Sequence, residues 1–263
     1  MQVQFGTKEG SDVRLVAAQA TRGGLGVNVV LEHTSHSKPL DEQRGLTDTS
    51  GYNNEFKKVE CISPTRTITR TRVEFEIPKA GLHLASNACA AAAIATSLGI
   101  SLHSVAHSLS LYQPVEMRCQ IEEAGPPGDV QTLVINDCYN ANPMSVKVSL
   151  QLLHSMHTNR RRIAVLGDML ELGGFSLSFH KEILQLCINE FQLDLVIVVG
   201  TCFSEAAENF KGRDSIIAFR NTSSLANHIA RFINLGDAVL VKGSRGMQME
   251  VLVDAIKTHA ESW

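Results

Sequence analysis

Residues 131–166 read QTLVINDCYNANPMSVKVSLQLLHSMHTNRRRIAVL, and this stretch decides the architecture. Gln131–Asn136 is a short apolar run that reads as a strand. The polar string Asn136 to Asn142 breaks it, and Pro143 stands where a first helical position tolerates a missing N–H. A helix is expected from Pro143 to His157, then a second apolar strand at Arg162–Leu166. Strand, helix, strand is the repeating unit of a parallel sheet.

The alternation continues downstream. Helix Ser176–Phe191, strand Leu195–Val199, a helix from near Phe203, strand Ser215–Phe219, helix Ser223–Asn234, strand Ala238–Val241 and helix Gln248–His259 follow in turn. Upstream, Cys119–Glu123 pairs with Gln131–Asn136 through the turn Gly125-Pro-Pro-Gly128. Short continuous apolar strands between amphipathic helices indicate a mostly parallel sheet covered on both faces, a doubly wound α/β domain.

Further toward the N-terminus the pattern changes. Ala85–Leu98 is an alanine-rich helix that Gly99 can cap, and a second helix is expected over Ser101–Leu109. Tyr112 to Arg118 contains Pro114 and reads as a junction, giving domains at 1–113 and 119–263 with a linker at 114–118. The first eighty residues are strand-like at Val13–Ala18, Gly26–Leu31 and Val73–Ile77. Between them, His33–Lys58 reads as a polar insertion.

Composition narrows the class. The 263 residues are 44% hydrophobic and 19% charged, with a net charge of -3. That argues against a nucleic-acid partner, which calls for a basic excess. Arg66, Arg70 and Arg72, and Arg160 to Arg162, read as solvated faces. The six cysteines form no C-x-x-C pair, so neither zinc nor a disulfide framework is indicated. No stretch looks like a signal peptide or a membrane span, so no membrane partner is expected.

In such a sheet, ligands gather beyond the carboxyl ends of the strands. Three polar clusters fall there. Asn136-Asp137-Cys138-Tyr139-Asn140-Ala141-Asn142-Pro143 offers a carboxylate and two amides, although Asn and Asp are also ordinary helix-capping residues. Gly167-Asp168-Met169-Leu170-Glu171-Leu172-Gly173 offers two acids that could hold a cation or a ligand ammonium; a solvated capping loop explains it as well. Lys242-Gly243-Ser244-Arg245-Gly246 brings two cations and two glycines to a helix N-terminus, which suits a phosphate or carboxylate. His180 follows the second cluster, and a lone helical histidine is usually structural. The sequence contains neither G-x-x-x-x-G-K-S/T nor G-x-G-x-x-G, which argues against a nucleotide-cofactor oxidoreductase.

Taken in order, these clusters resemble the Mur ligase family, on the branch that adds D-alanyl-D-alanine. Gly81-Leu82-His83-Leu84-Ala85-Ser86-Asn87-Ala88-Cys89-Ala90-Ala91 follows the pattern G-x-H-N-x-x-N-A-x-A-A. Met117-Arg118 stands for a junction Gly-Arg, and Asn136–Pro143 for D-D-S-Y-N-A-N-P. Gly167–Gly173 matches G-D-M-x-E-L-G, with His180 beyond it, and Val241–Glu250 matches V-K-G-S-R-x-x-x-M-E. The match runs over roughly residues 70–263. It departs at Leu84, Met117 and Asn136, which replace Asn, Gly and Asp.

The resemblance implies a Rossmann-like C-terminal domain preceded by a truncated remnant of the family's central ATPase domain. It implies an ATP- and Mg2+-dependent amide ligase that joins D-alanyl-D-alanine to a UDP-N-acetylmuramoyl-tripeptide in peptidoglycan synthesis. By resemblance, His83 and Asn87 approach the adenine, and Arg118 and Asp137 the nucleotide phosphates and ribose. Tyr139, Asn140, Asn142, Lys242, Ser244 and Arg245 would line the dipeptide side. No catalytic group and no metal ligand carries over, because the family's phosphate loop and magnesium ligands have no counterpart in these residues. The chain alone is therefore expected to be inactive. The alternatives are a non-catalytic binding or regulatory paralogue, or one half of a split ligase that pairs with a separate N-terminal half. The family implies a bacterial cytoplasm; the polar insertion and the cysteine usage would also suit a plastid stroma.

Overall fold

The computed structural model describes residues 3–21, 26–37, 62–63, 66–113, 115–128, 130–156 and 159–262. It divides into two compact units, Met1–Tyr112 and Gln113–Trp263.

The first unit is a sheet with two helices on one face. Strands β1 (Phe5–Gly6), β2 (Val13–Ala20), β3 (Val27–Ser37), β4 (Ile62–Ser63) and β5 (Arg66–Ile77) lie in the order β1-β2-β3-β5-β4. β1 pairs with β2 in parallel, and the other pairings are antiparallel. The expected strands were too short, because β3 and β5 extend into polar residues. His33–Ser37 therefore belong to β3, not to an insertion, and the remainder of the expected insertion, 38–58, lies outside the described residues. Long strands of mixed polarity arise because their backbone groups pair with one another regardless of side chain, from Val27 opposite Ile77 to Ser37 opposite Thr67.

Val13, Val29, Leu31, Val73 and Ile77 meet α1 (His83–Ser97) and α2 (Leu102–Ser110) through Ala85, Ala88, Cys89, Ala92 and Val105. Alanine on the inner face lets α1 approach the sheet closely. Gly99, at φ +86°, ends α1: its N–H donates to the Thr96 carbonyl and the Ile100 N–H to the Ala95 carbonyl. That double closure is the Schellman geometry.

The second unit is the doubly wound α/β domain. Its sheet is ordered β10-β9-β8-β11-β7-β6, from β6 (Gln120–Ala124), β7 (Thr132–Asp137), β8 (Arg162–Gly167), β9 (Leu195–Val199), β10 (Ile216–Phe219) and β11 (Ala238–Lys242). Only the β6–β7 pairing is antiparallel. The connecting helices are α3 (Pro143–Ser155), α4 (Ser176–Gln185), α5 (Thr201–Ala207), α6 (Thr222–Ala226) and α7 (Glu250–Glu261). Val134, Ile163, Val165, Ile197, Val239 and Val241 pack against Leu225, Leu252, Val253 and Ile256 of α6 and α7. Each such side chain, fully buried, contributes about 1.5–3 kcal/mol. The last strand, β11, inserts between β8 and β7, so the turn that follows it lies between theirs.

Three local expectations change. The helix expected over Ser223–Asn234 breaks after Ala226 into a 3-10 turn at Ile229–Arg231. The His228 ring takes the Ser224 carbonyl through Nδ1 at 2.8 Å, while the His228 backbone N–H turns to the Leu225 carbonyl. The helix expected to reach Phe191 ends in a π turn at Leu186–Glu190. Arg160 to Arg162 are not merely solvated. Arg160 donates to the carbonyls of Gln131 and Gly236, Arg161 to the carbonyl of Phe232, and Arg162 to His154. Near the start of β8, Arg160 and Arg161 thus satisfy carbonyls of neighbouring segments.

Candidate functional site

The polar turns at the carboxyl edge of the second unit's sheet are built from the strand ends outward. β7 and β11 run in register, Ile135 opposite Leu240 and Asp137 opposite Lys242. Lys242 therefore meets a carboxylate as soon as both strands end. Its Nζ lies 2.6 Å from Asp137 Oδ2 and 2.9 Å from the Asn140 carbonyl, and Lys242 is 2% exposed. Asp137 Oδ2 also accepts from Ser149 Oγ at 2.6 Å, and Oδ1 from the Cys119 N–H at 3.2 Å.

Ser149 escaped the sequence reading. Its signal was a small polar residue on the buried face of α3, one turn after Ser145, whose carbonyl its hydroxyl also reaches.

The rest of the β7 turn faces outward. Asn142 caps α3: Oδ1 accepts from the Ser145 N–H at 2.8 Å, and Ser145 Oγ accepts from the Asn142 N–H at 3.0 Å. This reciprocal box accounts for Asn142 and Pro143 as capping residues. Asn140 Oδ1 accepts from the Ala141 N–H. Tyr139, Asn140 and Asn142 are exposed. The Arg118 guanidinium sits 4.2 Å from the Tyr139 ring centroid, a cation–π pair at the surface. Both Met117 and Cys119 hold left-handed backbone, φ +60° and +45°. At Met117 this explains why a glycine suits the junction; the thioether here touches Arg245 Nη1 at 3.1 Å.

The β11 turn differs from its expected form. Lys242–Gly246 does not run directly into a helix: a 3-10 turn at Arg245–Met247 and a left-handed Gln248, φ +50°, precede α7. Ser244 is buried. Its Oγ accepts from the Leu170 N–H at 2.9 Å and reaches the Ala141 carbonyl at 3.4 Å. Arg245 is exposed, with Nη1 3.3 Å from Glu250 Oε1. Gly243 is required by proximity, since a Cβ there would stand 2.7 Å from Met249 Cγ and 3.0 Å from the Gly167 backbone.

The β8 turn is tied to α5 and to the β11 turn. Asp168 accepts from the N–H groups of Cys202 and Phe203 at the start of α5, at 3.0 and 2.8 Å. His180 is fully buried; Nε2 accepts from the Met169 N–H at 3.0 Å, so the ring proton is on Nδ1, which donates to the Ser176 carbonyl at 2.7 Å. Asp168, His180 and Cys202 form the one metal-compatible cluster among the described residues. The Asp168 and His180 atoms are committed to backbone groups and the Cys202 sulfur accepts from Ser176 Oγ, and a His–Cys set does not suit Mg2+, which asks for oxygen.

Three of the thiols are held in the protonated, weakly nucleophilic form. Burial pushes the thiols of Cys119, Cys138 and Cys187 up to about 12, with Asp137 adding to the rise at Cys119 and Glu250 at Cys138.

In the first unit, His83 and Asn87 stand one turn apart on α1, and Asn87 is exposed. Gly81, at φ +116°, gives the His83 ring its place, because a Cβ there would lie 2.5 Å from its Cε1.

Residues 117–245 match the family model described as "Mur ligase, glutamate ligase domain". The chain is 34% identical over 182 residues to the UDP-N-acetylmuramoyl-tripeptide–D-alanyl-D-alanine ligase of Bacillus subtilis (strain 168), covering 68% of this chain and 39% of that protein. It is 31% identical over 218 residues to the protein of that name from Haemophilus influenzae, covering 79% of this chain and 45% of the other. A crystal structure of MurF from Acinetobacter baumannii superposes with a TM-score of 0.68 at 26% identity, over 97% of this chain and 46% of that one. The chain thus spans less than half the length of these relatives. With the domain match, the MurF relatives and the shared α/β fold together, the chain belongs to the Mur ligase family.

Proposed function

We propose that this chain is the C-terminal part of a MurF-like ligase, serving the step that joins D-alanyl-D-alanine to a UDP-N-acetylmuramoyl-tripeptide. In this reading residues 1–113 are the remnant of the central ATPase domain, 114–118 the linker and 119–263 the substrate-facing domain, working in the cytoplasm. One observation carries it: the amide-rich turn after β7 and the cationic turn after β11 are the family's dipeptide-branch motifs, and Asp137 and Lys242 join them at one sheet edge.

Arg118 and Arg245 offer exposed guanidiniums to phosphate or carboxylate, and Tyr139, Asn140 and Asn142 offer aromatic and amide surface beside them. His83 and Asn87 supply the adenine side. The nucleotide is ATP, as in the family, and the described residues fit it in part. They do not fit Mg2+, for want of an uncommitted oxygen cluster. Phosphoryl transfer depends on charge neutralisation and positioning. The 263-residue polypeptide by itself therefore does not turn over ATP, and activity requires a phosphate-loop domain supplied with it.

The test is ADP release from Mg-ATP, UDP-N-acetylmuramoyl-tripeptide and D-alanyl-D-alanine. The expected result is no release from the chain alone and release when a MurF N-terminal half is added. Turnover by the chain alone would refute the inactivity. No turnover in the mixture, with no binding of ATP or dipeptide, would favour a non-catalytic paralogue, to which Leu84 and Met117 at motif positions already lean.

A further inference from the structure

The sequence reads Lys242 as a cation offered to a ligand, and the geometry points elsewhere. We propose that Lys242 is a positioning residue, an internal strut that sets the Tyr139–Asn142 turn, and that Arg245 is the ligand-facing cation of the Lys242–Arg245 string.

Register alone brings the lysine to its partner. Lys242 lies opposite Asp137 across the β11–β7 pairing, and both residues are at least nine-tenths buried. An ammonium has three N–H donors, and two are committed here, to Asp137 Oδ2 and to the Asn140 carbonyl. The second bond fixes the turn. With the Asn140 carbonyl held from inside, its side chain can cap the Ala141 N–H, the Ala141 carbonyl can meet Ser244 Oγ, and Asn142 can cap α3.

The backbone of the turn is thereby anchored residue by residue while Tyr139, Asn140 and Asn142 project outward. The Tyr139 N–H, bonded to the Met117 carbonyl at 3.1 Å, ties the same turn to the segment carrying Arg118. Swinging Lys242 out toward an anion would strand the Asp137 carboxylate, leaving only Ser149 and the Cys119 N–H as its partners. A buried charge left without its counter-ion is strongly unfavourable. Arg245, 57% exposed on its side chain, can reach an anion at far smaller cost.

The assignment rests on the ligase reading only for what the turn faces, and its test uses no ligase activity, so either can fail without the other. Three forms of the full chain are compared: the parent, Lys242→Met, and Asp137→Asn/Lys242→Met. Urea unfolding of Lys242→Met should show a folding equilibrium constant lowered by about two to three orders of magnitude, and the double variant should recover most of that loss. Native-state hydrogen exchange then separates a strut from a mere stabilising pair. In the refolded double variant the Tyr139 and Ala141 amides should exchange about tenfold or more faster than in the parent, with β8 and β9 amides unchanged. Lys242→Met as stable as the parent, a double variant no better than the single, or parent-like protection at Tyr139 and Ala141 in the double variant would each overturn the proposal.

Discussion

Two aspartates at the same sheet edge do different work. Asp137 closes β7 and Asp168 follows β8, and they are 7% and 3% exposed. Asp137 is balanced by an ammonium from another strand, 105 residues away in sequence. Asp168 is balanced by two backbone amides at the start of α5, with His180 Nε2 3.7 Å from it. The first arrangement couples two turns and leaves the polar side chains of one of them outward. The second is consumed in tying its turn to the start of α5. The two turns therefore differ in what remains exposed around the acid: the β7 turn presents Tyr139, Asn140 and Asn142 outward, while the Asp168 carboxylate serves as scaffold.

The sharpest way to break this contrast is at Gly200. Its φ of +120° belongs to a region that only glycine occupies comfortably, and a Cβ there would stand 2.3 Å from both Cγ and Oδ2 of Asp168. Asp168 cannot yield without abandoning the α5 amides. Gly200→Ala should cost about 3 kcal/mol or more, read as a shift in the urea midpoint at unchanged slope. A cost within about 0.5 kcal/mol would show that Asp168 is free to move, and the scaffold description of the β8 turn would fall.

A smaller effect tests the other turn. Asn142→Ala removes an exposed capping box and should cost about 1 kcal/mol, by the same measurement. It should leave Asp137 and Lys242 paired, because neither touches the Asn142 side chain. A loss several times larger would mean that the cap and the buried pair form one cooperative unit.

These residues also mark how far the sequence could be read. The alternation of apolar strands with helices, the antiparallel β6–β7 hairpin and the edge that carries the polar turns were all legible, because each depends on local period and turn chemistry. Burial at the strand ends was not. Lys242 and Ser244 read as ligand-lining because nothing near them in sequence announces partners at Asp137, Asn140, Ala141 and Leu170. Only the insertion of β11 between β8 and β7 supplies them. The break in α6 was hidden for the opposite reason. Leu225, Ile229 and Ile233 keep a helical four-residue spacing and are all buried, while His228 intercepts a carbonyl that a continuing helix would need. Periodicity reports which side faces the core and says little about whether the backbone stays regular.

The smallest expected effect sharpens the comparison by removing burial from it. Lys257 of α7 pairs with Glu122 of β6, with side chains 34% and 21% exposed, whereas the Lys242 and Asp137 side chains are 2% and 10% exposed. Water screens the outer pair, so Lys257→Gln should cost less than about 1 kcal/mol, far below the cost of Lys242→Met. The hydrogen bond to Glu122 raises the Lys257 pKa above the ordinary lysine value. A lysine whose folded pKa is raised stabilises fully below its unfolded pKa, about 10.4, and loses that contribution as pH rises through the folded value. The difference in urea midpoint between parent and Lys257→Gln should accordingly be constant from pH 7 to about 9 and shrink above the lysine range. If it instead matched the cost at Lys242, burial would not be what makes an ion pair in this domain matter.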